Sequence, residues 1–358
     1  MSEKIKTVLK IFGAVIGAIL VFAGCFVGWL TVTEFTPDDV TTVKVGKTEK
    51  INADEEKIEP ETKIKLLTFN IGYGNLGEES DFFMDGGKNV RNGDKNLVQR
   101  NLVGAKTEII SAKADVVFLQ EVDTASKRSF NINEYENIAE SFDDYYAFGQ
   151  NYVCGFVPFP FPPIGKVDSG IMTLTDFRMN NAERISLPCP FSWPVSAANL
   201  KRCLLVSYHD VKNSETDLVL INLHLEAYDS GEGKIAQTKM LWDILETEYA
   251  KGNYVIAGGD FNQSFPGAEE KYPIFTAELW KPGVLEESAL PEGWKYVFDD
   301  SVPTCRLLDK PYDEETSQHY VIDGFIISPN VELVSVETLD CGFEFSDHNP
   351  VLMEVVLK

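Results

Sequence analysis

Apolar residues are distributed along this chain in two ways. From Ile11 to Thr33 they form one run of 23 residues without a charge, long enough to cross a bilayer as a helix, which takes about 20 residues. Beyond Lys63 they come in short bursts, several of which end in a polar side chain. Ile64–Phe69 ends at Asn70, Val116–Leu119 at Gln120-Glu121, Leu218–Leu223 at His224, and Tyr254–Ala257 at Gly258-Gly259-Asp260. Short apolar runs bounded by turn signals read as buried strands. Further strands are expected at Asp168–Leu174, Lys201–Ser207, Tyr320–Ile327 and Val351–Leu357. Two stretches carry apolar residues at helical spacing instead. One is Asn96–Lys113, with Leu97, Val103, Ile109 and Ile110; the other is Ile235–Ala250, with Ile235, Met240, Leu241, Ile244 and Leu245.

The segments between are informative by composition. Residues 34–62 hold nine acids and four lysines and read as an acidic stalk, with Val40–Val45 as a potential edge strand. Tyr145–Ile164 crowds seven aromatic residues among Pro158, Pro160, Pro162 and Pro163, too many prolines for a helix. It is read either as a packed cover on the core or as a protruding aromatic loop. Ser186–Leu200, with Trp193, is a second loop of this kind. No internal repeat is present.

Charge changes the picture. The chain of 358 residues has a formal net charge of −24, whereas a nucleic-acid binder normally carries a basic face. Lys4, Lys6 and Lys10 precede the apolar run, and Glu34, Asp38 and Asp39 follow it. The excess of lysine on one side places the N-terminus in the cytoplasm and the rest outside. A cleaved signal peptide normally has a shorter apolar region. Phe22-Ala23-Gly24-Cys25 resembles a lipoprotein cleavage box, but the apolar run continues to Val32. An uncleaved anchor is therefore expected. Five cysteines lie beyond it without a CxxC pair, so no zinc site is expected and buried free thiols are.

Candidate chemistry sits at the strand ends. Successive strand side chains alternate faces, so Asp260 and Asn262 point the same way. A carboxylate and an amide so placed orient a water and grip a phosphate oxygen, although both are also ordinary turn formers. Glu121 at the tip of a buried strand suits a hard metal ion, which prefers carboxylate oxygen. Asp323 interrupts an apolar strand and needs a partner if buried. Asp347 and His348, near the C-terminus, offer a base and its orienter. His209 and His319 fit no such pattern and are read as structural.

Taken in order, these stretches resemble the endonuclease/exonuclease/phosphatase superfamily. They are the strand ending in Asn70, Gln120-Glu121-Val122-Asp123, Asn222-Leu223-His224, Gly259-Asp260-Phe261-Asn262, Ile322-Asp323 and Ser346-Asp347-His348-Asn349-Pro350. The resemblance implies a four-layer α/β/β/α sandwich, DNase I-like, with two mixed sheets packed face to face. It places Glu121 on a metal, usually Mg²⁺ with Mn²⁺ or Ca²⁺ as alternatives, with Asn70 beside it and Asp347 near. It implies that Asp260 orients the attacking water and that Asn262 contacts the phosphate. His224 would stabilise phosphoryl charge, and Asp323 would orient His348, as base or as phosphate-binding cation. Gly72 departs from the acidic residue that several nucleases of the group carry two positions after the first asparagine.

The expected organisation is a cytoplasmic segment 1–10, a transmembrane helix 11–33, a stalk 34–62 and one enzymatic domain 63–358. The expected protein is a single-pass, monomeric enzyme of the cell membrane with its domain outside, a metal-dependent phosphoric ester hydrolase. A phospholipid or a small soluble phosphoester is the favoured substrate. A secreted-side nuclease and a non-catalytic surface binding protein on the same fold are the alternatives.

Overall fold

A computed structural model describes residues 2–48, 58–142, 145–276 and 278–358. Two seven-stranded sheets dominate it. In the first, the strands run in the order Val331–Thr338, Val351–Leu357, Lys63–Asn70, Val116–Asp123, Gly165–Thr175, Tyr145–Val157 and Gly46–Lys47. In the second the order is Val40–Thr42, Asn181–Ser186, Cys203–Asp210, Asp217–His224, Tyr254–Asp260, Asp323–Ile327 and Lys295–Val297.

Each sheet has one parallel pair: Lys63–Asn70 with Val116–Asp123, and Asp217–His224 with Tyr254–Asp260. Parallel neighbours need a crossover, usually a helix, and here the helices Lys95–Ala112 and Glu232–Ala250 supply it. Every other pairing within the two sheets is antiparallel.

Alternation along the strands builds the layers. Leu66, Val116, Phe118, Leu218, Leu220, Ile256 and Phe325 share one core, between the sheets. The intervening residues Leu67, Phe69, Val117 and Leu119 pack on Leu102, Ala105 and Ile109 of the first helix. Val219, Ile221, Leu223, Val255 and Ala257 pack on Leu241, Trp242 and Leu245 of the second. Three cores separate four layers, helix–sheet–sheet–helix, as the sequence leads one to expect. Polar residues also bridge the sheets. Gln120 Nε2 donates to Asn222 Oδ1 at 2.9 Å, and Asn222 Nδ2 donates to the Met172 carbonyl at 2.8 Å. Buried amides satisfied in this way pin the relative register of the two sheets.

Several local expectations need correction. The first helix buries Val98, Leu102, Ala105 and Ile109, spaced 4, 3 and 4 apart, whereas Val103 and Ile110 lie off that line and are exposed. Ile235 is likewise exposed on the second helix. Tyr145–Ile164 is not one irregular segment. Its first part is the 13-residue strand Tyr145–Val157, because all four prolines come after Val157. The proline-rich remainder is the tip of a hairpin with Gly165–Thr175, and there Phe159 is 70% and Phe161 96% exposed. The glycines before Asp260 do not end their strand. A Cβ on Gly258 would sit 2.3 Å from the Phe325 ring, so close approach is what requires glycine there.

The described parts of 34–62, read as a stalk, are folded onto the domain. Val40–Thr42 pairs with Asn181–Ser186 and Gly46–Lys47 with Tyr145–Tyr146, so each adds a short edge strand to one side of its sheet. Residues 49–57 lie outside the described residues. The helix Glu3–Val32 is long and apolar enough to cross a membrane. Its last turns touch the domain: Leu30 is buried, Trp193 Nε1 donates to Thr31 Oγ1 at 2.9 Å, and Lys201 Nζ meets Glu34 Oε1 at 2.6 Å. All six cysteines are free, with Cys154, Cys203 and Cys305 buried.

Candidate active site

The two parallel pairs end at one place. Asn70 and Glu121 come from the first sheet and His224 and Asp260 from the second. Asn70, His224 and Asp260 occupy the last inward-facing positions of their strands, following Leu66, Leu220 and Ile256 at even spacing. Glu121 breaks the alternation. The ladder to Gly165–Thr175 shifts register between Leu119 and Val122, and Glu121 has φ +57°. Such a bulge re-aims a side chain, and it turns Glu121 into the cleft, still partly accessible.

Asp260 is the hub. Its Oδ2 accepts from Asn70 Nδ2 at 3.1 Å and lies 3.3 Å from His224 Nε2 and 3.8 Å from His348 Nε2. Its Oδ1 accepts the backbone N–H of Asn262 at 2.8 Å, which Asn262 presents by adopting φ +50°. Burial raises the Asp260 carboxyl to about 6, with nearby His348 opposing the rise. Asp323 stands directly opposite Asp260 in the antiparallel ladder, and its Oδ2 accepts from His348 Nδ1 at 2.8 Å. Burial opposes the His348 cation, but the Asp323 carboxylate prevails and lifts its pKa well above the ordinary value. His224 behaves oppositely. Burial and then Arg202 hold it well below that value, so it is neutral. One imidazolium and one neutral imidazole thus flank the same carboxylate.

All the residues singled out from the sequence meet here. Glu121, His224, Asp260, Asn262, Asp347 and His348 line a cleft of ≈ 610 Å³, and Asn70 and Asp323 hold them from behind. Asn262 Nδ2 donates to the Leu225 carbonyl at 3.0 Å, which fixes the side chain. His209 and His319 lie elsewhere. His209 is buried between Ser207 Oγ and the Arg178 carbonyl, and burial lowers it to about 4.

Ligand atoms of Asp260, Asp323 and His348 lie within 4.8 Å of one another, a cluster able to hold a metal. Two of those residues are already engaged with each other through His348 Nδ1 and Asp323 Oδ2. Glu121 and Asp347 offer freer oxygens. Among the described residues neither carboxylate pairs with a lysine or arginine. Burial, opposed by His348 and then reinforced by Glu121, pushes Asp347 up to about 7. Two carboxylates lining one cleft without such a partner are the donor chemistry of a hard divalent cation. Asn70 is placed differently from a ligand: its Oδ1 accepts from the Gly72 N–H at 3.1 Å, and its Nδ2 faces Glu121 and Asp260. A side chain on Gly72 would meet Asp347 Oδ1 at 3.0 Å, so an acidic residue does not fit there without a shift.

Other lining residues carried no signal in the sequence. Arg128 grips Asp123 through Nη2 and Nε at 2.9 and 3.2 Å and lies over the Tyr73 ring at 3.7 Å. Arg202 is buried beside Glu226, 3.7 Å away, and its Nε and Nη1 have no hydrogen-bond partner among the described residues. A basic residue opening an otherwise apolar strand was the available clue.

Solved structures of the same architecture exist. One is an endonuclease/exonuclease/phosphatase from Beutenbergia cavernae DSM 12333, 19% identical, covering 82% of this chain and 72% of its own, with a TM-score of 0.57. The fold is that of the endonuclease/exonuclease/phosphatase proteins. A member from Bacteroides vulgatus matches at 15% identity, 83% and 100% coverage and a TM-score of 0.51. A D. rerio TDP2 complexed with single strand DNA product matches at 18% identity, 82% and 99% coverage and a TM-score of 0.50. No family model and no curated protein matches the sequence.

Proposed function

We propose that this chain is a membrane-held, metal-dependent phosphoester hydrolase acting outside the cytoplasm, with a phospholipid as the favoured substrate. The observation that carries this reading is the Asp260 hub, flanked by a cationic His348, a neutral His224 and the Glu121–Asp347 carboxylates. A divalent ion such as Mg²⁺, held by Glu121 and Asp347, supplies Lewis-acid stabilisation when bound.

The remaining steps belong to the chain's own residues. Asp260, raised towards neutrality, takes a proton from a water that its Oδ2 orients. Asn262 lines the phosphate position. The His348 cation and a donor N–H of His224 stabilise the charge that grows on the phosphoryl oxygens. Asp323 keeps His348 protonated and its Nε2 directed towards the hub.

Two features favour lipid over nucleic acid. The net charge of −24 opposes a polyanion, and the cleft extends to the apolar N-terminal helix. The nuclease reading has one observation in its favour, the TDP2 structure that contains single strand DNA product. The test is a substrate panel on the full chain in nanodiscs with Mg²⁺: phosphatidylcholine, phosphatidylglycerol, sphingomyelin, bis(p-nitrophenyl) phosphate and single-stranded DNA. Phospholipid turnover with DNA left intact is expected. Efficient DNA cleavage that falls steeply with salt, with every lipid untouched, establishes the nuclease. Turnover of nothing establishes a binding protein.

A further inference from the structure

The cleft has a half that phosphoester chemistry leaves unused. From Asp260 and His348 it runs continuously to Phe26, Val27 and Leu30 of the N-terminal helix, and Phe83, Phe159 and Val195 line the same space. A helix that serves only as a tether has no reason to wall the catalytic cavity.

The depth of this contact matters. Phe26 lies six residues before Val32, the last residue of the helix, or about 9 Å along the axis at 1.5 Å per residue. The domain therefore reaches alongside the helix rather than resting on its end. Phe26 meets the Phe156 ring edge-on at 6.0 Å, and Phe83 meets Phe159 in the same way at 6.0 Å. Phe156, Phe159, Phe161, Trp193 and Val195 are all exposed large apolar side chains. The apolar run 11–33 spans about 34 Å as a helix, close to the roughly 30 Å hydrocarbon core of a bilayer. With the run in the bilayer, Phe156, which touches Phe26, and Phe159 and Val195, which share its cavity, enter the same leaflet. The helix-side end of the cleft then opens into hydrocarbon.

The geometry points to an acyl-chain subsite built partly from the membrane anchor. A phospholipid enters sideways from the leaflet, its phosphate at the Asp260–His348 end and one acyl chain along Phe26–Leu30 against Phe83 and Phe159. The phosphate end of this assignment rests on the hydrolase reading above; the chain end rests on the continuity of the apolar cleft. The N-terminal helix is then a substrate-binding element as well as an anchor.

Titration calorimetry of the full chain in nanodiscs, with Mg²⁺ and with empty nanodiscs subtracted, reads the subsite without needing turnover. The probes are n-butyl, n-hexyl and n-octyl phosphate. Each added pair of methylenes should tighten binding at least threefold, because burying apolar surface is favourable in proportion to its area. Val27→Trp and Val195→Trp narrow the cleft from two elements, and either should flatten this dependence on chain length. Butyl and octyl phosphate bound equally, or a slope that survives both substitutions, overturns the subsite. A protein that hydrolyses bis(p-nitrophenyl) phosphate yet shows no chain-length dependence keeps the hydrolase reading and loses this one. A protein that shows the dependence and hydrolyses nothing keeps the subsite and loses the hydrolase.

Discussion

Asp323→Asn separates the two roles open to His348. The substitution keeps the shape of the side chain and removes its charge. In the native protein Asp323 Oδ2 accepts from His348 Nδ1 at 2.8 Å, and both side chains are buried. A hydrogen bond to a charged partner is worth about 1.5–3 kcal/mol. If His348 stabilises phosphoryl charge as a cation, that energy is lost from the transition state. At about 1.36 kcal/mol per tenfold in rate, kcat/KM should fall roughly 10- to 150-fold at pH 8. The sign of the pH dependence follows from the charge. Without the carboxylate, the imidazolium gives up its proton at lower pH than in the native protein. The ratio of mutant to native activity should therefore recover as pH falls from 8 to 6. The native rate declines below about pH 6, where Asp260 takes up its proton. The assay is hydrolysis of bis(p-nitrophenyl) phosphate across pH 5–9, with a circular dichroism check on folding. Mutant activity that stays flat or rises between pH 7 and 9 refutes the cationic role and returns His348 to the role of base, because a base must be deprotonated to act.

Three further expectations address the metal, the buried acids and the topology. Glu121→Gln should raise the Mg²⁺ concentration needed for half-maximal activity by tenfold or more while leaving the melting temperature in EDTA within a few degrees; an unchanged Mg²⁺ titration removes Glu121 from the metal site. Asp347 has a folded-state pKa raised to about 7 by burial, so its protonated form favours folding below the ordinary value of 3.8 and that contribution is lost as pH rises through about 7. Asp347→Asn should accordingly melt progressively higher than the native protein as pH goes from 5 to 8 in EDTA, and a difference that stays flat over this range contradicts the shift. Protease added to intact cells should digest the domain at 63–358, and protection until lysis reverses the proposed orientation.

The polar strand tips were legible because strand chemistry is local. An apolar alternation that ends in Asn70, His224 or Asp260 states both the element and the direction of its last side chain. Glu121 was found as a residue, but its bulge was not, because a register shift depends on the partner strand at Gly170. Tyr145–Val157 was missed for a different reason. Four prolines in the hairpin tip masked a strand that contains none. The helix faces were misjudged where apolar residues such as Val103 and Ile110 sit on the solvent side, since residue type alone does not say which stripe a sheet will cover.

The joint between the N-terminal helix and the cleft was the least legible feature, and its physics explains why. A membrane helix is recognised by being apolar all round, so nothing in its composition distinguishes residues that face lipid from those that face protein. Phe26, Val27 and Leu30 read the same as Phe12 or Ile19. Only the domain decides: Trp193, arriving from a distant loop, bonds Thr31, while Phe156 and Phe159, at the tip of a hairpin, meet Phe26 and Phe83. The polar half of the site is written in single residues at strand ends. The apolar half exists only where four separate segments meet, and each alone resembles a lipid-facing helix or an exposed loop.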